Sequence, residues 1–173
     1  MILIALGANL PSPRWGAPAE TLVAAIAALE AEGIRVTARS AFYESAPVPA
    51  SDQPWFVNAV IAVETELGPE RLLEALLALE TRFGRRRAAA GEARVLDLDL
   101  LAYGDIVTPA DSHPALPHPR MHQRAFVLLP LKEIAREWRH PGLGKPVEEL
   151  IAALPAGQTA RPLGAARRGA RSP

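Results

Sequence analysis

Val95-Leu96-Asp97-Leu98-Asp99-Leu100-Leu101 holds the side chains best placed by type and spacing to do chemistry. In a strand alternate side chains share a face, so Asp97 and Asp99 point one way and Leu96, Leu98 and Leu100 the other. Two strand rises separate the carboxylates by roughly 6.6 Å. At an effective dielectric of about 20 their repulsion is on the order of 2.5 kcal/mol, and aspartate is a poor strand former besides. Something has to offset both costs. A hard cation bridging the pair would do so, because magnesium takes one or two carboxylates together with substrate phosphates. A solvated strand face carrying two paired aspartates is the other reading of the same spacing.

The neighbouring arginines bear on that choice. The loop from Gly84 to Arg94 delivers Arg85, Arg87 and Arg94 beside the acidic strand. Guanidinium forks match phosphate oxygens, so arginines around an acidic strand point to a polyphosphate substrate. The sequence has neither a Walker A motif nor a dinucleotide-type glycine fingerprint, so a nucleotide would be held by arginines and metal. Glu80 falls on the apolar stripe of the preceding helix, four residues after Leu76. It is either a boundary carboxylate paired to an arginine or part of the nucleotide site. In Gln53-Pro54-Trp55-Phe56-Val57-Asn58, a strand puts Phe56 and Asn58 on one face. A ring beside an amide suits a flat heterocycle with mixed hydrogen-bonding edges. Pro117 to Phe126 adds His118, Arg120, His122, Arg124 and an aromatic ring, and reads as a binding loop. The two histidines lack zinc spacing, and the chain has no cysteine.

The elements that must position these residues follow from periodicity. Ile2 to Leu6 reads as a buried strand, closed by Gly7-Ala8-Asn9. Pro18 opens a helix with Leu22, Ile26 and Leu29 on one stripe, stopped at Gly33. Ile34, Val36 and Ala38 alternate into a strand that runs to about Glu44. A proline-rich loop from 46 to 54 precedes a strand over 55–66, rich in Val and Ile. Gly68-Pro69 opens a second helix with Leu72, Leu73, Leu76 and Phe83, stopped by Gly84. A strand over 95–103 ends at Gly104-Asp105, which reads as a hairpin turn. Helices around 126–138 and 147–154 follow. Strand, helix, strand, strand, helix, strand is the ferredoxin-like split βαβ pattern, an α+β fold with an antiparallel sheet and helices on one face. Beyond it lies a C-terminal extension.

Composition bounds the rest. The 173 residues suit one domain, and 49% hydrophobic with 22% charged residues exclude wholesale disorder. Nineteen basic side chains balance nineteen acidic ones, which argues against a protein that coats nucleic acid or an anionic membrane. Two of the basic residues are lysines, Lys132 and Lys145, and the rest are arginines. No apolar run reaches the roughly 20 residues that span a bilayer, and the short apolar start lacks the basic flank of a secretory signal. A cytoplasmic monomer with no nucleic-acid or membrane partner is expected. From Ala156 the chain has no acidic residue and little apolar periodicity. Residues 156–173 are therefore expected to be a flexible tail without a catalytic role, and 1–155 a single catalytic domain.

Taken together, Leu6-Gly7-Ala8-Asn9-Leu10, Phe42-Tyr43, Gln53-Pro54 with Phe56 and Asn58, Arg94 before Asp97-Leu98-Asp99, and Pro117-His118 through Leu131 form a recognisable series. Over about residues 1–155 the chain resembles the 6-hydroxymethyl-7,8-dihydropterin pyrophosphokinase family of folate biosynthesis. The resemblance implies transfer of pyrophosphate from ATP to the pterin hydroxymethyl group, with release of AMP. It implies that Asp97 and Asp99 hold two magnesium ions and that Arg85, Arg87 and Arg94 meet the triphosphate, with Arg85, Arg94 and both aspartates catalytic. Glu80, Leu100, His118 and Arg124 would lie near the nucleotide. Phe56 and Phe126 would sandwich the pterin, Asn58 would bond its edge, and Ser45, Ala46, Val48 and Gln53 would line the pocket. The family usually carries a tryptophan and Gly-Pro before the last arginine of the catalytic loop. Here Ala88-Ala89-Ala90-Gly91-Glu92-Ala93-Arg94 has neither and is one residue shorter, and Ala46 stands where proline is frequent. The alternative is a non-catalytic ferredoxin-like module, either a regulatory or an RNA-binding domain. An RNA reader would show exposed aromatics and a basic sheet face, whereas Ile2 to Leu6 has no aromatic and the 95–103 strand is acidic.

Overall fold

The computed structural model describes residues 1–85 and 93–164. Arg87 and most of the arginine-rich loop therefore lie outside the described residues. Six strands form one sheet: β1 (Ile2–Ala8), β2 (Arg35–Arg39), β3 (Tyr43–Ser45), β4 (Phe56–Glu64), β5 (Asp97–Tyr103) and β6 (Ala160–Pro162). The order across the sheet is β5-β1-β4-β3-β6, with β2 also pairing β4, and every pairing is antiparallel. Four α-helices accompany it: α1 (Pro18–Ala31), α2 (Pro69–Arg82), α3 (Ala125–Ile134) and α4 (Val147–Ala152).

Both faces of the sheet are covered, not one. Leu22, Ile26 and Leu29 of α1 and Leu72, Leu76 and Leu79 of α2 pack with Ile4, Leu6, Ile61, Leu98 and Leu100 on one side. Val127, Leu128 and Leu131 of α3 and Val147 and Leu150 of α4 pack with Leu3, Val60, Leu101 and Ala102 on the other. The sequence carries the reason in β4. Ala59 to Val63 is an unbroken apolar run, and all five side chains are buried, as in a strand enclosed on two sides.

The strand expected over 34–44 is split. Ser40 enters the ladder with its side chain, where Oγ accepts from the Val60 N–H at 3.0 Å while the Ser40 N–H donates to Val60 O. A register shift between Val36 and Ala38 sends Val36 to the α1/α2 side and Ala38 to the α3/α4 side, so the alternation breaks there. Gly104 does turn at positive φ (56°), but it leads into a loop rather than the second strand of a hairpin. The segment after Ala156 also departs from expectation. Residues 160–162 form β6 against β3, a pairing that three residues without apolar alternation do not announce.

Candidate active site

The aspartate strand lies at the sheet edge, and its geometry decides which face does chemistry. Leu98 and Leu100 are buried against α1 and α2, which turns Asp97 and Asp99 toward the α3 face. Gly7 of β1 is in register with both Asp97 and Asn58. One row of the sheet thus carries a carboxylate, a bare glycine and an amide. A Cβ at Gly7 would sit 3.3 Å from Asn58 Oδ1, so the glycine keeps the floor between the two side chains open. Above this row a cavity of about 250 Å³ is walled by Ser45 to Pro49, Phe56, Asn58, Arg94, Asp97, Asp99, His118, Arg120, Arg124 and Phe126.

At the acidic end, Arg94 Nη1 donates to Asp97 Oδ1 at 2.6 Å, and Arg85 Nη1 approaches the same oxygen at 2.9 Å. Arg124 Nη1 donates to Asp99 Oδ2 at 3.2 Å. Glu80 is buried, and its Oε1 accepts from both Arg85 and the Leu98 N–H, the latter at 2.6 Å. It pairs with an arginine, and so holds Arg85 beside Asp97. Burial pushes the Glu80 carboxyl up to about 7, against the Leu98 N–H and the Arg85 charge. Burial also raises Asp97, helped by the Asp99 charge and opposed by Arg94 and Arg85. His118 Nδ1 accepts from the Arg120 N–H at 3.1 Å, which leaves the proton on Nε2, 3.9 Å from Asp99. Burial lowers the His118 pKa, with Arg124 and Arg120 adding to the effect and the Asp99 charge opposing it.

At the other end, Asn58 Nδ2 donates to Ser45 Oγ at 2.9 Å, with both residues buried. That bond fixes the amide and leaves its oxygen over the Gly7 floor. Phe56 and Phe126 line the same cavity, and the Arg124 guanidinium lies 5.5 Å from the centre of the Phe126 ring.

The predicted residues Ser45, Ala46, Val48, Phe56, Asn58, Arg94, Asp97, Asp99, His118, Arg124 and Phe126 are thus brought to one cavity. Three are not. Glu80 and Arg85 stand behind Asp97 as its support, and the Leu100 side chain is in the core on the opposite face. In the edge strand Leu100 stands between Leu98, whose N–H is capped by Glu80, and Leu101, whose carbonyl accepts from the His118 N–H. Gln53 also stands back from the cavity wall, where its Oε1 accepts from Asn9 Nδ2 at 3.3 Å. Asn9 is the residue whose role the sequence reading did not assign. Its side chain also donates to Pro54 O and accepts from the Arg94 N–H at 2.7 Å. It ties the 46–54 loop to Arg94, just ahead of β5. Its place at the end of a buried strand, after Gly7-Ala8, was the available signal. Arg120 and Gly7 also line the cavity.

Among the described residues no group of three or more His, Cys, Asp or Glu side chains is placed to hold a metal ion, and no helix is long and apolar enough to cross a membrane. Fold and site define an open-sheet α+β protein with an acidic, arginine-ringed cleft continuous with an aromatic–amide pocket. The family model for 7,8-dihydro-6-hydroxymethylpterin-pyrophosphokinase matches residues 3–136. The chain is 43% identical over 155 residues to the 2-amino-4-hydroxy-6-hydroxymethyldihydropteridine pyrophosphokinase of Methylorubrum extorquens, covering 87% of this chain and 91% of that one. Against the protein of the same name from Pseudomonas aeruginosa it is 41% identical, covering 89% and 91%. In structure it is similar to Plasmodium falciparum HPPK-DHPS, with a TM-score of 0.64 at 13% identity over 88% of this chain and 42% of that longer one. This last likeness is one of fold. The chain belongs to the 7,8-dihydro-6-hydroxymethylpterin-pyrophosphokinase family.

Proposed function

We propose that this protein transfers pyrophosphate from ATP to 6-hydroxymethyl-7,8-dihydropterin, giving the pterin diphosphate and AMP, as a magnesium-dependent monomer in the cytoplasm. The observation that carries the reading is the shared floor. Asp97, Gly7 and Asn58 stand in one register row, so a ring bonded by Asn58 and a phosphate chain at Asp97 meet across a residue with no side chain. In the reaction the pterin hydroxymethyl oxygen attacks the β-phosphorus of ATP. An O–P bond forms, the bond from that phosphorus to the α,β-bridging oxygen breaks, and AMP leaves with the oxygen. The hydroxyl proton passes to solvent.

The residues present fit a hard cation. Asp97 and Asp99 offer carboxylate oxygens on one face, and burial together with the Asp99 charge keeps Asp97 raised although two arginines contact it, so a cation there would favour both carboxylates in their charged form. Bound magnesium would neutralise phosphate charge and polarise the transferred group. The protein's own part is positioning and charge. Arg94, on Asp97 and lining the cavity, would meet phosphate oxygens, with Arg85 behind Asp97 adding positive charge, and Arg124 and His118 flank Asp99. Arg87 belongs with them by the resemblance. Phe56 and Phe126 supply ring faces for the pterin, Asn58 an edge contact, and Ser45, Ala46 and Val48 the wall, with Gln53 steadying it through Asn9. By the resemblance, Leu100 and Glu80 belong near the nucleotide, Leu100 through the main chain of the edge strand since its side chain is in the core. Incubation with magnesium-ATP and the hydroxymethyl-dihydropterin tests the reading: AMP formed in step with pterin diphosphate supports it. ADP would mean single-phosphate transfer, and no product a binding module.

A further inference from the structure

Residues 156–164 lie beyond the stretch that the family model matches, yet they bind both walls of the pterin pocket. On one wall, the Ala46 N–H donates to Thr159 O at 3.2 Å, and Ser45 pairs with Ala160. That bond matters because the next part of the wall, Pro47 to Pro49, contains two prolines that have no N–H to anchor it. On the other wall, Gln158 Oε1 accepts from the Ala125 N–H at 2.9 Å, and its Nε2 donates to Gln123 O at 2.7 Å. Ala125 is the first residue of α3 and stands between Arg124 and Phe126. Further along, Arg161 Nε donates to Glu44 Oε1 across the β3–β6 pair, its guanidinium lies 5.2 Å from the Trp55 ring centre, and the Leu163 N–H donates to Phe42 O at 2.7 Å.

We propose that residues 156–164 are a strap that sets the spacing between the two walls of the pterin pocket, with Gln158 as its positioning residue. The inference rests on the pterin reading above. No part of the strap lines the cavity, so it acts through Ala46 and Ala125 and not on the substrate. The β5 edge, on the opposite side of the sheet from β6, is outside its reach. Its loss therefore acts mainly on the pterin, and reaches the nucleotide side only weakly, through Arg124, which stands between the Gln123 and Ala125 contacts of Gln158 and pairs with Asp99.

The test uses the full chain with Gln158→Ala, Gln158→Glu and, at the other end of the strap, Arg161→Ala. Steady-state rates of AMP release give KM for each substrate, and amide hydrogen exchange without ligands reports residues 46–50 and 125–127. Gln158→Ala should raise KM for the pterin about three- to tenfold, the scale of one or two lost hydrogen bonds, with KM for ATP within about twofold and exchange faster in both segments. Gln158→Glu keeps the acceptor for Ala125 at a helix N-terminus, where negative charge is favoured, and should fall between wild type and Gln158→Ala. Arg161→Ala supplies the same comparison if Gln158→Ala does not fold. Unchanged exchange in the variants overturns the strap, as does a KM that rises equally for both substrates. A wild-type chain that releases no AMP with the pterin overturns the functional reading instead, and the exchange data still decide for or against the strap.

Discussion

Asp97 carries the tension of the site. Its carboxylate accepts from Arg94 and faces Arg85, yet burial and the neighbouring Asp99 outweigh both arginines and hold its pKa above the ordinary value. A carboxyl raised in the fold adds stability below its unfolded pKa and loses that contribution as pH rises through the folded one. At neutral pH its ionisation is therefore a net cost to the apo fold. Asp97→Asn keeps the shape and removes the charge, so the ligand-free protein should melt no lower than wild type at pH 7.5, while AMP release falls by at least about a hundredfold. Thermal melts and the AMP assay on one preparation check this. A variant that melts much lower would mean that the arginine pairs outweigh the repulsion.

At the scale of elements, the edge of β5 is held by α2 through one side chain. Glu80 caps the Leu98 N–H and anchors Arg85, so Glu80→Ala strands a buried donor and should cost about 1–3 kcal/mol in urea unfolding, with slower turnover as Arg85 loosens. Glu80→Gln keeps an acceptor for Leu98 and should cost less. The Glu80 pKa of about 7 lies above the ordinary 4.5, so its contribution is complete below about 4.5 and lost as pH rises through 7. The Gln variant should flatten the stability profile across that window, and a parallel profile would remove Glu80 as its source. Its stripe position made Glu80 visible in the sequence, as strand alternation did the two aspartates. Other elements were legible only in part. The α1 and α2 stripes and the order β1, α1, β4, α2, β5 follow from spacing, because a helix repeats every 3.6 residues and a strand every two. The break at Ser40 does not, because a side chain that replaces main chain in a ladder leaves no periodic mark. Nor does β6, whose three residues are held by an existing edge and by Gln158, contacts between chain positions far apart. Burial of β4 on both faces was written in Ala59 to Val63, but alternation in the other strands masked it.

The whole molecule is three layers, and the substrate pocket depends on how the α3 layer seats on the sheet. Tyr43 of β3 pairs with Asn58 across β4 and so stands in the same row as Gly7 and Asp97. Its hydroxyl donates to Glu133 Oε1 of α3 at 2.6 Å, and the Ala41 N–H donates to the other oxygen at 2.8 Å. Gln158 fastens the first turn of α3 and Glu133 the last, so the helix that presents Phe126 is pinned at both ends. Burial raises the Tyr43 hydroxyl to about 12, with its bond to Glu133 and the charge of that carboxylate adding to the effect. The ordinary value is 10.0, so the stability this phenol supplies is complete below pH 10 and lost as pH rises through 12. Tyr43→Phe should therefore cost about 1.5–3 kcal/mol at pH 8, the range for a hydrogen bond to a charged group. The gap to wild type should close between pH 10 and 12. Urea unfolding of both proteins at several pH values measures that gap. A gap that stays constant to pH 12 would mean that Tyr43 seats α3 by packing alone and that its hydrogen bond contributes nothing.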